Sequence, residues 1–453
     1  MTEEPVASRA PVAIAIAAAT SGVLPVFLTG AMGVQLRHAL HFSDLGLGVA
    51  VASFFAASAL CSVSFGVLAE RRGPIAVMRL AVATSIASLL VLGLGVGSLA
   101  TLCVALALGG IANGATQPAV NLFLSRRGPR ARQGLAFGIK QAGIPTATLL
   151  SGLAVPALAL TLGWQASYLA GAVVAAGVAL VLWRQRDAVA EARDAARTRR
   201  PARTGPEPGD LRGGEPIARR PAPEPPRPGG LGAGPAPGPA SRGPVLPLVV
   251  LACGMALAVS AANSLGSFAV PSAVDHGVAP GLAGLLASLG SVFGFSARVG
   301  LGWRADAERA EAPASPVARR AFLARRHLAT VAGALTLGTL GYLALATGSH
   351  ALLVPGVVLA FGAGWGWNGL FNLAVVRAYA DGPARATGIT QVGTYLGGMA
   401  GPLGFGAVAS GVSYALAWSL CAAFALGGAA LFLTGRSLLR RHPIWEGAGS
   451  RPS

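Results

Sequence analysis

Apolar runs of membrane-spanning length follow one another along this chain, and that spacing constrains its fold more than any motif does. Hydrophobic residues make up 53% of the 453 and charged residues 11%, against roughly 25% charged in a soluble domain. A transmembrane helix needs about 20 mostly apolar residues. Polar breaks divide the chain into twelve such runs: 12–34, 45–69, 75–96, 99–123, 134–160, 165–183, 245–269, 281–303, 328–347, 351–374, 385–409 and 413–434. In lipid a helix satisfies its own backbone, so Gly and Pro inside these runs do not argue against helix. Pro118, Pro145, Pro156 and Pro402 are expected at kinks or close approaches. The fold class expected is an all-α membrane protein with 12 transmembrane helices.

Charge sets the orientation. Of the 35 basic residues, 34 are arginine, and nearly all lie in short connections. With the N-terminus in the cytoplasm, 32 basic residues collect on the cytoplasmic side, only Arg37 falls outside, and Lys140 and Arg298 remain within spans. By the positive-inside rule both termini are then cytoplasmic, in the inner membrane of the cell. The net charge of +18 would suggest nucleic acid if it formed one face. It is scattered, and nucleic acid is set aside. Residues 1–11, with Glu3 and Glu4, lead directly into an apolar run too long for a signal-peptide core, which reads as an uncleaved first helix.

Cys61, Cys103, Cys253 and Cys421 lie in apolar runs without metal-ligand spacing, so neither disulfide, metal nor cofactor is implied. Between spans six and seven, residues 201–240 hold 12 Pro and 9 Gly. Such a segment buries too little to offset its ordering entropy. The expected domains are an N-terminal six-helix bundle (12–183), a disordered linker (184–244, its first part to 200 a helical extension), a second bundle (245–434) and a tail (435–453).

The two bundles repeat each other. Gly138-Ile139-Lys140-Gln141-Ala142-Gly143 returns 250 residues later as Gly388-Ile389-Thr390-Gln391-Val392-Gly393. Gln117-x3-Asn121 precedes the first string and Asn368-x3-Asn372 the second. Gly66-Val-Leu-Ala-Glu70-Arg71 after span two matches Gly302-Trp-Arg-Ala-Asp306 after span eight, with an offset of 236. Six helices per bundle make the repeats parallel. Twelve spans as six plus six, a central linker, and Gly-x-Leu-Ala-Glu-Arg-x-Gly after span two resemble the major facilitator superfamily. The strings Gln-Pro-Ala-x-Asn and Gly-Ile-Lys-Gln-x-Gly are similar to its cyanate-permease-like branch of small-solute carriers. The chain departs from the pattern at Glu70, where Asp is usual, and at Pro74 and Ile75, where basic residues are. Span four has no buried arginine, which weighs against a proton-antiport drug exporter.

The resemblance implies two six-helix repeats around a central cavity bordered by helices one, four, seven and ten. The amides Asn113, Gln117, Asn121, Gln141, Asn263, Asn368, Asn372 and Gln391 agree with that arrangement. Asn113, Gln117 and Asn121 form one stripe at i, i+4, i+8, which in lipid must face protein or water. They read either as interhelical contacts or as a solute-lined path. Lys140 lies eight residues past Arg132, about 12 Å along a helix. Its amine either snorkels to the cytoplasmic face or serves as anchor for an anion or as a proton carrier, since lysine titrates on desolvation where arginine does not. Arg298, near the end of span eight, reads as snorkelling, with substrate or gate contact the alternative. Glu70, Arg71 and Asp306 read as gate residues through the resemblance, and otherwise as flanking charge.

No carboxylate falls in mid-span, and the six histidines are placed in connections. A cation exporter or an intramembrane enzyme would need such groups. The expectation is a monomeric, non-enzymatic secondary transporter. It would move a small anionic or polar organic solute by alternating access, import favoured, with a coupling proton as an option. The alternative is a multidrug or metabolite exporter.

Overall fold

A computed structural model of the protein describes residues 10–127, 138, 140–185, 244–380 and 382–441, the side chains of 10, 125–127 and 384 excepted. The described residues are helical almost throughout and contain no strand. An N-terminal part holds α1 (Ala10–Ala31), α2 (Gly33–Leu40), α3 (Asp44–Arg72), α4 (Pro74–Leu94), α5 (Leu99–Arg127), α6 (Gly143–Ala154, extended by a π turn Val155–Ala159) and α7 (Trp164–Arg184). A C-terminal part holds α8 (Val245–Asp275), α9 (Pro280–Ala307), α10 (Pro316–Ala346), α11 (His350–Leu359, then a π turn Ala360–Gly364), α12 (Asn368–Ala378), α13 (Pro383–Gly411) and α14 (Tyr414–Arg440).

Among the described residues ten helices are long and apolar enough to cross a membrane, and the protein is a multi-pass membrane protein. They coincide with ten of the twelve expected runs. Of the other two, 134–160 begins outside the described residues, so only Gly143–Ala159 is seen. The run 385–409 lies within α13, 29 residues long, whose eight glycines dilute its hydropathy. Most of the expected linker, 186–243, lies outside the described residues, as do 1–9 and 442–453.

Boundaries differ from expectation in three places. α10 starts at Pro316, twelve residues before the expected run, because an arginine-bearing segment continues the same helix. Span ten is interrupted at residues 360–367 by the π turn and a short break. The chain also leaves helix at Gln141 and Ala142 before α6 begins. The prolines fall as expected at irregularities or contacts. Pro156 lies in a π turn, and the carbonyl of Pro402 meets α3 at Gly48.

Lipid provides no hydrophobic force between helices, so association depends on close approach and polar links. α3 lies on α5 where Gly110 and Gly114 face the carbonyls of Phe54 and Ser58. α13 lies on α8 along Gly393, Gly397 and Gly401, against the backbone of Ala252, Ala256 and Ser260. α6 meets α1 at Gly143, set against Ala19 and Thr20, and the Thr20 hydroxyl donates to the Gly143 carbonyl at 3.2 Å. Gly143 and Gly393 are the matching last residues of the two repeated strings. Each seats its helix on the helix four spans earlier.

The two parts are cemented differently. In the N-terminal part hydroxyls bond across helices: Ser85 to Ser21 O at 2.6 Å, Ser88 to Ala105 O at 2.7 Å, Ser58 to Gly110 O at 2.9 Å, and Thr29 with Tyr168 at 2.9 Å. In the C-terminal part aromatic rings interlock, with Phe371 on Phe432 at 4.7 Å and Phe405 on Phe268 and Trp418 at 4.6 Å.

Contacts between the parts concentrate at the end that carries Arg37. There Leu45 N donates to Ser410 Oγ at 2.8 Å, and Gly48 is close enough to α13 that a Cβ would lie 2.5 Å from Pro402 O. α6 and α9 touch through Ser288 Oγ to Leu149 O at 3.0 Å and Ser291 Oγ to Thr148 at 2.7 Å. A Cβ on Gly284 would lie 2.5 Å from Gly152 O. Gly284→Val is therefore expected to force α6 and α9 apart at this end. Spin labels on Leu162→Cys and Leu282→Cys, both exposed, should report a longer distance in the valine variant; an unchanged distribution would show that this contact does not hold the end shut.

Candidate functional site

Among the described residues Arg298 is the arginine placed deepest in a span, and its environment is unusual. The residue is 2% exposed, and Nη1 donates to the carbonyl of Gly294, one turn back, at 2.9 Å. Helical side chains lean towards the helix N-terminus, so the guanidinium reaches away from the arginine-rich end of α9, not out to it. The snorkelling reading does not describe this side chain. Nε and Nη2 are buried and have no hydrogen-bond partner among the described residues. No acidic side chain there pairs with the guanidinium.

One member of an aromatic cluster lies against it. The guanidinium carbon lies 5.7 Å from the Trp365 ring centroid, within cation–π range. Trp365 directly follows the π turn between α11 and α12. It makes an edge contact with Phe27 of α1 at 5.6 Å and a tilted one with Phe361 at 5.8 Å. Gly266 of α8 lets both Phe27 and Trp365 in, since a Cβ there would lie 2.7 Å from each ring. Elements α1, α8 and the segment between α11 and α12 thus meet at Trp365, the ring that lies against the α9 cation. Discontinuous helices near the membrane midplane are where transporters build binding sites.

Lys140 approaches from the N-terminal part. Gly138 packs on α9, where a Cβ would meet Arg298 O at 2.5 Å and Gly302 Cα at 3.5 Å. Three residues past Lys140, Gly143 packs on α1. Lys140 therefore lies between a contact with the arginine's own backbone and a contact with α1. It is half-buried, and beside it Gln141 is buried.

The amides divide. Asn113 and Gln117 form a chain, with Gln117 Nε2 to Asn113 Oδ1 at 3.5 Å and Asn113 Nδ2 to Ser58 Oγ at 3.1 Å. Asn113 is thereby tied to α3. Asn121, the third member of the stripe, is exposed. Asn263 is buried where α8 meets both Phe55 and Gly398, its Nδ2 3.0 Å from a Cβ placed on the latter. Asn368 is buried at the start of α12, and Asn372 donates to its carbonyl at 3.1 Å. Gln391 is half-buried on α13.

The charged ends hold two clusters, one at each end of the helices. Glu70 and Arg71 are exposed at the end of α3, and Asp306 is half-buried at the end of α9. The centre of the ion pairs at that end is Glu308, 4% exposed, which meets Arg304 at 3.1 Å, Arg326 at 3.2 Å and His327 at 3.4 Å. Arg377 Nη1 in turn lies 3.3 Å and 3.4 Å from the two ring nitrogens of His327. The expectation that every histidine occupies a connection fails here. His327 is fully buried within α10, because that helix starts before the apolar run does. The Arg304/Glu308 spacing of i, i+4 was the available signal.

At the opposite end Arg37 pairs with Asp44 at 2.6 Å, and the Tyr414 hydroxyl donates to the same Asp44 oxygen at 2.8 Å. Asp44 opens α3, where a carboxylate suits the helix dipole. This latch joins α2 and α3 of the N-terminal part to α14 of the C-terminal part. Asp44 is buried beneath these partners. The signal in the sequence was that Arg37 is the only basic residue assigned to its side.

The Major Facilitator Superfamily model matches residues 12–402. No curated protein matches the chain.

Two outcomes are expected from the ion clusters. Asp44→Asn keeps the tyrosine bond but removes the charge pair, which should weaken the closed end by about 2 kcal/mol, roughly 30-fold. A cysteine placed at buried Leu47, in a background free of the native cysteines, should then react correspondingly faster with an impermeant maleimide; equal rates would remove the latch role. Glu308→Ala leaves buried His327 without its carboxylate and should cost about 3 kcal/mol. Its Tm in detergent is expected to fall further than that of Asp306→Ala.

Proposed function

The chain belongs to the Major Facilitator Superfamily, a transporter family, and on that premise we propose that it moves a small anionic or polar organic solute by alternating access, import favoured. The reading takes the chain as twelve helices in two parallel six-helix repeats, in the inner membrane, with both termini cytoplasmic. The arginine-rich end is then the cytoplasmic one and the Arg37–Asp44–Tyr414 latch the outer gate. Glu308, Asp306 and their arginines, with Glu70 and Arg71, belong to the inner gate.

One observation carries the anionic substrate: Arg298 is desolvated at the contact between the two parts with no carboxylate beside it among the described residues. A buried charge is costly unless paired, and an ionisable group inside the membrane marks a solute path by default. Lys140 lies in the segment packed against the arginine's backbone, so the second intramembrane cation enters the same region. Gln141, Asn263 and Asn368 supply neutral donors and acceptors nearby in the fold, and Asn113, Gln117, Asn121, Asn372 and Gln391 line the rest of the path in this reading.

In proteoliposomes of the full chain, uptake of small organic anions should fall to background in Arg298→Ala. Lys140→Ala should reduce it, and Lys140→Arg should separate charge from titration: activity retained in the arginine variant makes Lys140 an anchor, activity lost makes it a proton carrier. Anion uptake unaffected by Arg298→Ala and by both lysine variants would reject the reading. Resistance to cationic drugs on expression, indifferent to Arg298, would put the exporter in its place.

A further inference from the structure

The guanidinium of Arg298 offers more than a charge, because its five N–H groups are not equally engaged. Nη1 is occupied by the Gly294 carbonyl. Nε and Nη2 are the two buried atoms without a partner among the described residues. These two nitrogens share one edge of the planar group, and their outward N–H bonds run parallel. That edge is the fork that takes both oxygens of a carboxylate at once. The guanidinium carbon lies over the Trp365 ring at 5.7 Å from its centroid, and a Cβ on Gly294 would sit 3.2 Å from Nη1. The tether, the ring and the lack of a side chain at Gly294 hold the plane in one orientation and leave the fork edge as its unsatisfied side.

Resting on the anion reading above, we propose that the solute is an organic carboxylate. Its two oxygens are held side-on by Nε and Nη2 of Arg298, and its carbon skeleton lies against the Phe27, Phe361 and Trp365 rings. The match is one of shape as well as charge. A monatomic halide meets the two parallel donors only through bent bonds to one atom, and a linear anion such as cyanate likewise presents a single terminal atom to them. Nitrate has the planar oxygens but no carbon skeleton for the aromatic cluster. Leaving one charged donor unmet costs enough, on the order of 1.5–3 kcal/mol, to separate these anions by about tenfold or more in affinity.

Thermal-shift titrations of the purified full chain with acetate, benzoate, nitrate, chloride and cyanate test the proposal. Acetate and benzoate should bind at least about tenfold more tightly than chloride and cyanate, and benzoate more tightly than nitrate. Arg298→Lys keeps the charge and removes the fork, so it should lose about tenfold in carboxylate affinity while its chloride affinity stays within about twofold of wild type. Carboxylate affinity unchanged in Arg298→Lys, or chloride, cyanate or nitrate binding as tightly as benzoate to wild type, overturns the carboxylate fork and leaves an anion site standing. No binding of any of the five anions to wild type overturns the anion reading itself. The wild-type series decides alone if the lysine variant does not fold.

Discussion

Lipid withholds two things that water provides: partners for polar groups and a force that drives apolar surfaces together. Every contact between these helices has to be made by the chain itself. The glycines answer the second requirement. At Gly110, Gly143, Gly284 and Gly397 one backbone approaches another within the space a methyl group would occupy, and dispersion contacts then accumulate along the whole pair. The first requirement is answered locally for hydroxyls, which fold back on the preceding turn or reach a neighbouring carbonyl, as Ser58 does with both Phe54 and Gly110. Among the described residues the hydroxyls of Ser167, Ser264, Tyr342 and Tyr395 stay buried without a partner, and Arg298 is the side chain that leaves two such atoms, both on a charged group.

The same rule explains what could be read from residues alone. Span positions follow from run length, and ten of twelve reappear as membrane-length helices. The repeated glycine strings were legible because a glycine in a tight helix contact cannot be replaced cheaply, and Gly143 and Gly393 make matching contacts. Charges near helix ends were harder. Asp44 and Arg37 lie only seven residues apart in sequence, yet their pairing depends on the turn between α2 and α3 and on a tyrosine 370 residues away. His327 was misplaced because apolar periodicity marks where a helix is buried in lipid, not where it begins. Arg298 was read from its position along the helix, whereas its direction decides its role. The direction is set by the lean of helical side chains and by the Gly294 carbonyl, neither of which a hydropathy pattern reveals.

The repeat sharpens the meaning of the two embedded cations. With the offset of 250, the counterpart of Lys140 is Thr390; with the offset of 236, the counterpart of Arg298 is Ser62. Both cations therefore belong to one seam, between α6 with the segment before it and α9. The equivalent seam between α13 and α3 has hydroxyls at both positions. The seams also differ in packing. Gly138 is pressed against the backbone of Arg298 and Gly302, while a side chain at its counterpart Gly388 would meet nothing within 4 Å among the described residues. A symmetric pair of bundles can rock between two states without any preference for a solute. A charge confined to one seam breaks that equivalence, because under the proposed function an anion would meet Arg298 fully only while the seam is closed around it. The solute then stabilises one arrangement of the bundles over the other in proportion to its differential contacts, which is the requirement for coupling its binding to their movement.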